Sequence, residues 1–184
     1  MTTYKIAVCV GSLRQASLNR KTANALVALA PQSLQFEWMD IGQLPLYNED
    51  FDESPPKEWV MFRDRLRACD GLLFVTPEYN RSISGALKNA LDVGSRPYGE
   101  NSWDGKPAAV VSVSPSAIGA FGANHHLRQT LAYLNVPTMA QPEAYIGQAN
   151  ELFGENGDLV KDTTKKFLQD FMEAFARWVE TING

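Results

Sequence analysis

The stretch IAVCVGSLRQASLN, residues Ile6–Asn19, reads as a buried strand running through a loop into a helix. Ile6–Val10 is a continuous apolar run of strand length, and Gly11 permits a tight exit from it. Ser17 is a good N-cap for the helical pattern that follows. Between strand and helix the chain offers backbone N–H groups, the hydroxyls of Ser12 and Ser17, the Asn19 amide and the Arg14 guanidinium. A helix N-terminus adds partial positive charge, so the turn suits an anion such as phosphate. The plainer alternative is a capped helix with a surface arginine. Two phosphate motifs are absent from the sequence, G-x-G-x-x-G and Gly-Lys-Ser/Thr. Without bare glycines for a pyrophosphate, or a lysine for a γ-phosphate, a terminal monophosphate fits better.

Working outward, further strands are predicted at Leu34–Met39, Leu72–Val75 and Ala108–Val113, with a fifth inside Thr138–Ile146. Helical patterns occupy Asn19–Ala30, Lys57–Ala68, Ser84–Val93, Ala123–Leu134 and Thr163–Ile182. The alternation has no repeat and no dividing linker, so residues 1–184 are expected to form one α/β domain. Its architecture is a doubly wound five-stranded parallel sheet with helices on both faces. Ligands of such sheets sit beyond the carboxyl ends of the strands, which singles out the loops after Val10, Val75 and Val113.

Composition narrows the function classes. With 45% hydrophobic and 21% charged residues the chain is too apolar to be disordered. A net charge of -4 leaves a nucleic-acid role without an electrostatic footprint. No apolar stretch approaches the roughly 20 residues of a membrane helix, and MTTYK lacks the layout of a signal peptide. Cys9 and Cys69 read as two buried thiols, which points to the cytoplasm. His125 and His126 are adjacent and diverge on a helix, so no metal is expected. Asp40, ending the second strand, resembles the acid that reads a ribose in dinucleotide folds, but the missing glycine fingerprint speaks against that role.

The second informative stretch is FVTPEYNRSISGALKNALD, Phe74–Asp92. Pro77-Glu78-Tyr79-Asn80 supplies a stiff backbone edge whose N–H and C=O groups could face a planar heterocycle. The two loops leave adjacent strands at the same end, so a ligand with a monophosphate at one end and a hydrogen-bonding ring at the other fits them. FMN is such a ligand.

GSLRQASLN followed by TPEYNRSISGALKNALD resembles the NAD(P)H-dependent FMN reductases of flavodoxin-like fold, the group that includes bacterial chromate, quinone and azo-dye reductases. The resemblance runs from Lys5 to about Ile146 and includes HLRQTL. It implies that Ser12, Arg14, Ser17, Leu18 and Asn19 bind the FMN phosphate, and that Pro77, Glu78, Tyr79 and Asn80 hold the isoalloxazine. Ser112 or Ser114 would touch the flavin or its ribityl chain. It also implies that NADH or NADPH donates a hydride and that quinones, chromate or azo dyes accept it, with FMN carrying the chemistry. No catalytic side chain is needed. The side chain of Glu78 is expected to face solvent or a partner subunit.

Two positions depart from the family pattern. Arg81 stands where a neutral or aromatic residue is common, and Ser84 where proline is frequent. Arg81 and Arg96 become candidate contacts to an anionic substrate. Family members form homodimers or homotetramers in which the neighbouring chain closes part of the pocket, with His125, His126 and Arg128 beside the flavin loops. The loop Asn101–Gly105, with Trp103, is expected near the flavin mouth or the interface. The competing readings are a flavodoxin-type electron carrier and a flavin-binding sensor without turnover.

Overall fold

The computed structural model describes residues 2–154 and 156–184. Five strands, β1 (Tyr4–Val10), β2 (Leu34–Trp38), β3 (Gly71–Thr76), β4 (Ala108–Val113) and β5 (Ala144–Ile146), form one sheet of order β2-β1-β3-β4-β5. Every pairing is parallel, with Val10 opposite Val75 and Thr76 opposite Ser112. This is the flavodoxin-like arrangement, with its switch point between β1 and β3.

Helices α1 (Leu18–Leu29), α2 (Lys57–Arg67), α3 (Gly85–Gly94), α4 (Phe121–Tyr133) and α5 (Asp162–Asn183) cover both faces. Successive strand residues point to opposite faces, so each buried strand feeds two cores. Ala7, Cys9, Leu72 and Phe74 pack with Trp59, Leu66, Leu87, Leu91 and Leu127 on the side of α2, α3 and α4. Ile6, Val8, Leu73 and Val75 pack with Ala23, Leu26, Phe171, Phe175 and Val179 on the side of α1 and α5. The aromatic stripe of the last helix is therefore core. Both cysteines are free and buried, and burial pushes both thiols above their ordinary pKa.

Two expectations need correction, whereas the fifth strand lies inside its expected segment and fills its last three residues. Thr138 touches Ala108 in an isolated bridge, and Pro142, which has no N–H to donate, precedes the resumption of pairing at Ala144. Trp103 lies neither at a flavin mouth nor on a surface. Its indole is fully buried, donates from Nε1 to the Leu91 carbonyl at 3.1 Å, and packs on Phe62 and Phe74 at centroid distances of 5.9 and 5.7 Å. Its loop leads into the start of β4, at the end of the sheet opposite the carboxyl ends of the strands. Finally, α4 begins at Phe121, two residues earlier than its pattern suggests.

Candidate flavin site

The loop after β1 is a cradle of unpaired donors. Among the described residues, no backbone N–H from Ser12 to Asn19 donates to a protein acceptor. Ser17 caps α1 by accepting from the Arg20 N–H at 3.1 Å, and its own hydroxyl proton stays available. Ser12 and Asn19 are buried, and Asn19 Oδ1 has no partner. Leu18 is half-buried against the α1 core, while Arg14 stands exposed at the rim. Unpaired N–H groups at a helix start match the donor set a monophosphate needs, whereas the orphaned Asn19 Oδ1 is an acceptor and adds nothing to it.

The loop after β3 is locked to the first. Gly11 N–H donates to the Val75 carbonyl at 2.9 Å, and Ser84 Oγ donates to the Gly11 carbonyl at 2.6 Å. Ser84 also accepts from the Leu87 N–H, capping α3. The serine that departs from the family's proline thus joins the two loops, which sequence reading missed. Its spacing to Leu87 was the available signal.

Beyond Pro77 the chain makes a tight turn. Tyr79 N–H donates to the Ser82 carbonyl at 2.8 Å and Ser82 N–H returns the bond at 3.0 Å. Both central residues are left-handed, Asn80 at φ 51° and Arg81 at φ 66°. Asparagine tolerates that region, whereas arginine is strained there. Strain of this kind concentrates at functional sites. The turn uses the Tyr79 N–H internally, so the N–H groups of Glu78 and Asn80 are the unpaired donors of this edge among the described residues.

Several candidates sit elsewhere than expected. The side chain of Glu78 is turned inward, only 14% exposed, where Oε2 accepts from the Ala123 N–H at 3.1 Å and Oε1 meets Arg81 Nη1 at 3.3 Å. Ser112 is fully buried. It donates to the Gly119 carbonyl at 2.7 Å and accepts from Asn124 Nδ2, so its hydroxyl serves the core. Ser114 remains at the rim, its hydroxyl 2.8 Å from that of Ser116. Arg96 lies past the far end of α3, about 15 Å of helix from Ser84, with its guanidinium over Tyr47. One chain does not bring it to the loops. His126 does reach them, with Nδ1 3.1 Å from Ser82 Oγ, while Arg128 is held by Asn124 and the Met139 carbonyl. Asp40 accepts from the Gly42 N–H in a local turn.

Beside the loop after β4, Tyr145 Oη donates to Glu143 at 2.7 Å. Burial, then that hydrogen bond, pushes its pKa up to about 12, so it stays protonated at neutral pH. Among the described residues no group of three or more His, Cys, Asp or Glu could hold a metal ion, and no helix is long and apolar enough to cross a membrane.

A five-stranded parallel sheet of order β2-β1-β3-β4-β5, with unpaired loop donors at its switch point, is the arrangement of a flavodoxin-like protein. The family model for NADPH-dependent FMN reductase matches residues 4–151. The chain belongs to that family and is an NAD(P)H-dependent FMN oxidoreductase. It is 60% identical over 178 residues to a quinone reductase of Pseudomonas putida, covering 96% of this chain and 95% of that protein. A 2-hydroxy-1,4-benzoquinone reductase of a Burkholderia species is 49% identical over 175 residues, covering 95% and 96%. Among solved structures, FerB from Paracoccus denitrificans, a flavoenzyme NAD(P)H:(acceptor) oxidoreductase, superposes with a TM-score of 0.92 at 44% identity, covering 97% and 98%.

Proposed function

We propose that this chain, working as one flavodoxin-like domain, is a quinone reductase that binds FMN across the loops after β1, β3 and β4. The observation that carries the reading is the run of unpaired N–H groups from Ser12 to Asn19, set against the Pro77–Asn80 edge. Ser12, Arg14, Ser17, Leu18 and Asn19 would hold the phosphate. Pro77, the backbone of Glu78, Tyr79 and Asn80 would frame the ring, and Ser114 would lie beside it. Ser112 drops out, because its hydroxyl is already paired inside the fold. Bound FMN would supply reversible two-electron chemistry between NAD(P)H and the acceptor. The protein's own part is to position it, with donors fixed by Gly11, Ser84 and α4. The printed names of the Pseudomonas and Burkholderia relatives support quinones as acceptors, and chromate and azo dyes are further acceptors on this reading.

A cytoplasmic location is part of this proposal, and two buried free thiols support it. It works as a homodimer or homotetramer. Exposed Tyr98, Phe121 and Tyr133 leave apolar surface for a second copy, which is also the way Arg96 could meet an anionic substrate.

Purified protein is expected to be yellow, to release one FMN per chain on heating, and to oxidise NADH or NADPH with benzoquinone. Release of FAD, or no flavin, would overturn the phosphate cradle. Bound FMN without nucleotide oxidation would favour an electron carrier or sensor.

Arg81 offers a second test. Its side chain is 82% exposed, and its ion pair with Glu78 is of a kind worth about 0–1 kcal/mol. An arriving anion can therefore recruit it cheaply. Arg81→Ala is expected to lower kcat/KM for chromate or NADPH by about three- to tenfold at low salt, and to leave neutral benzoquinone little changed. The difference should shrink as salt rises. Equal effects on all substrates, or no salt dependence, would return Arg81 to the solvated surface.

A further inference from the structure

The start of α4 lacks its own cap. Its N-cap is Ala120, left-handed at φ 59°, with no side chain to accept from the first turn, and the first turn carries no acidic residue. The acceptor comes instead from 45 residues away, where Glu78 Oε2 receives the Ala123 N–H at 3.1 Å. A carboxylate there satisfies an orphan donor and complements the helix dipole. The approach depends on Gly122, since a Cβ at that position would lie 3.0 Å from Glu78 Oε2 and 3.2 Å from the Arg81 carbonyl.

The same helix grips the other side of the turn. His126, one turn further along α4, places Nδ1 3.1 Å from the hydroxyl of Ser82. The two ties bracket the Tyr79–Ser82 turn, whose central residues are both left-handed. Such strained backbone persists only where its surroundings hold it. Glu78 is also the better shielded partner in its pair with Arg81, 14% against 82% exposed, so it remains tied to α4 when Arg81 swings away.

We infer that Glu78 is a positioning residue, whose carboxylate docks the Pro77–Ser82 loop on the N-terminus of α4 and thereby sets the backbone edge that receives the flavin ring. It acts through the loop and takes no part in proton transfer. The inference rests on the flavin reading above, and its test separates the two.

Full-length protein and its Glu78→Ala, Glu78→Gln and Glu78→Asp variants, freed of flavin, are compared by amide hydrogen exchange and by titration with FMN followed by fluorescence quenching. Without ligand, Glu78→Ala should lose protection in residues 78–82 and 121–124 together, with α5 unchanged. Its FMN dissociation constant should rise roughly tenfold, the loss of a capping acceptor at the start of α4. Glu78→Gln keeps an acceptor oxygen at the same reach and should recover most of the affinity. Glu78→Asp keeps the charge but falls one methylene short, and should bind as weakly as Glu78→Ala. That pair carries the test if the alanine variant does not fold. Wild-type affinity in Glu78→Ala, loss of protection confined to α4, or a glutamine variant as weak as alanine would each overturn the inference. If wild-type protein itself fails to bind FMN, the flavin reading falls, while the joint exchange of the two segments still decides whether Glu78 couples them.

Discussion

Gly11→Ala should loosen FMN about tenfold or more and lower the stability of the folded chain by about 1–3 kcal/mol, the usual cost of overpacking a filled site. A Cβ at Gly11 would sit 2.9 Å from Pro77 Cδ, 3.3 Å from Ser84 Oγ and 3.4 Å from Leu87 Cδ2. The proline ring cannot rotate away, because it is part of the backbone that leaves β3. Ser84 cannot yield without lengthening its 2.6 Å bond to the Gly11 carbonyl or uncapping α3. The strain therefore falls between the loop after β1 and the loop after β3, the spacing FMN would span under the proposed function. Titration of flavin-free protein with FMN and a urea melt read the two effects. Wild-type values in both would show that the loops have slack and that their spacing does not select the ligand.

Trp103→Ala is expected to cost about 3–5 kcal/mol of stability, in the range of buried tryptophan or phenylalanine truncations. The indole is fully buried between Phe62 and Phe74, and its loss removes one of the two donors to the Leu91 carbonyl, leaving the Ser95 N–H at 3.2 Å. Gly94 is part of the same fit, since a Cβ there would come within 2.4 Å of the indole nitrogen. Because Trp103 packs beneath α3 and its loop enters β4 at the end opposite the two loops, folded Trp103→Ala protein should bind FMN as wild type does. Urea denaturation combined with FMN titration in native buffer checks both halves. A loss of FMN affinity that persists in fully folded protein would place Trp103 functionally at the site after all.

The alternation of β1, β3 and β4 with helices, and the faces those helices bury, were legible because periodicity reports burial directly. Parallel pairing and the use of the strands' carboxyl ends follow from connection rules that need no coordinates. The β1 loop was legible as well, since its chemistry is local. A glycine exit, a serine cap and a helix start within Gly11–Asn19 must lie together wherever the chain goes.

The rest depended on distant partners. Nothing in PEYNRS says that Glu78 turns inward, because the donor it meets belongs to Ala123 and the space it needs is made by Gly122. Ser112 alternates along β4 like any strand residue, and only its neighbours Gly119 and Asn124 claim its hydroxyl for the core. Trp103 reads as a loop aromatic until α3 supplies the Leu91 carbonyl and the gap at Gly94. Arg96 looks close to Pro77 when counted along the chain, but the ten residues of α3 carry it to the far end of the helix. By itself the sequence determined the elements, the sheet and the serine-capped turn from β1 into α1, whose partners lie within a few residues of one another. Tertiary structure decided which polar side chains are taken up inside the fold, because a hydrogen bond needs both partners in place and the second one here is 7 to 45 residues away.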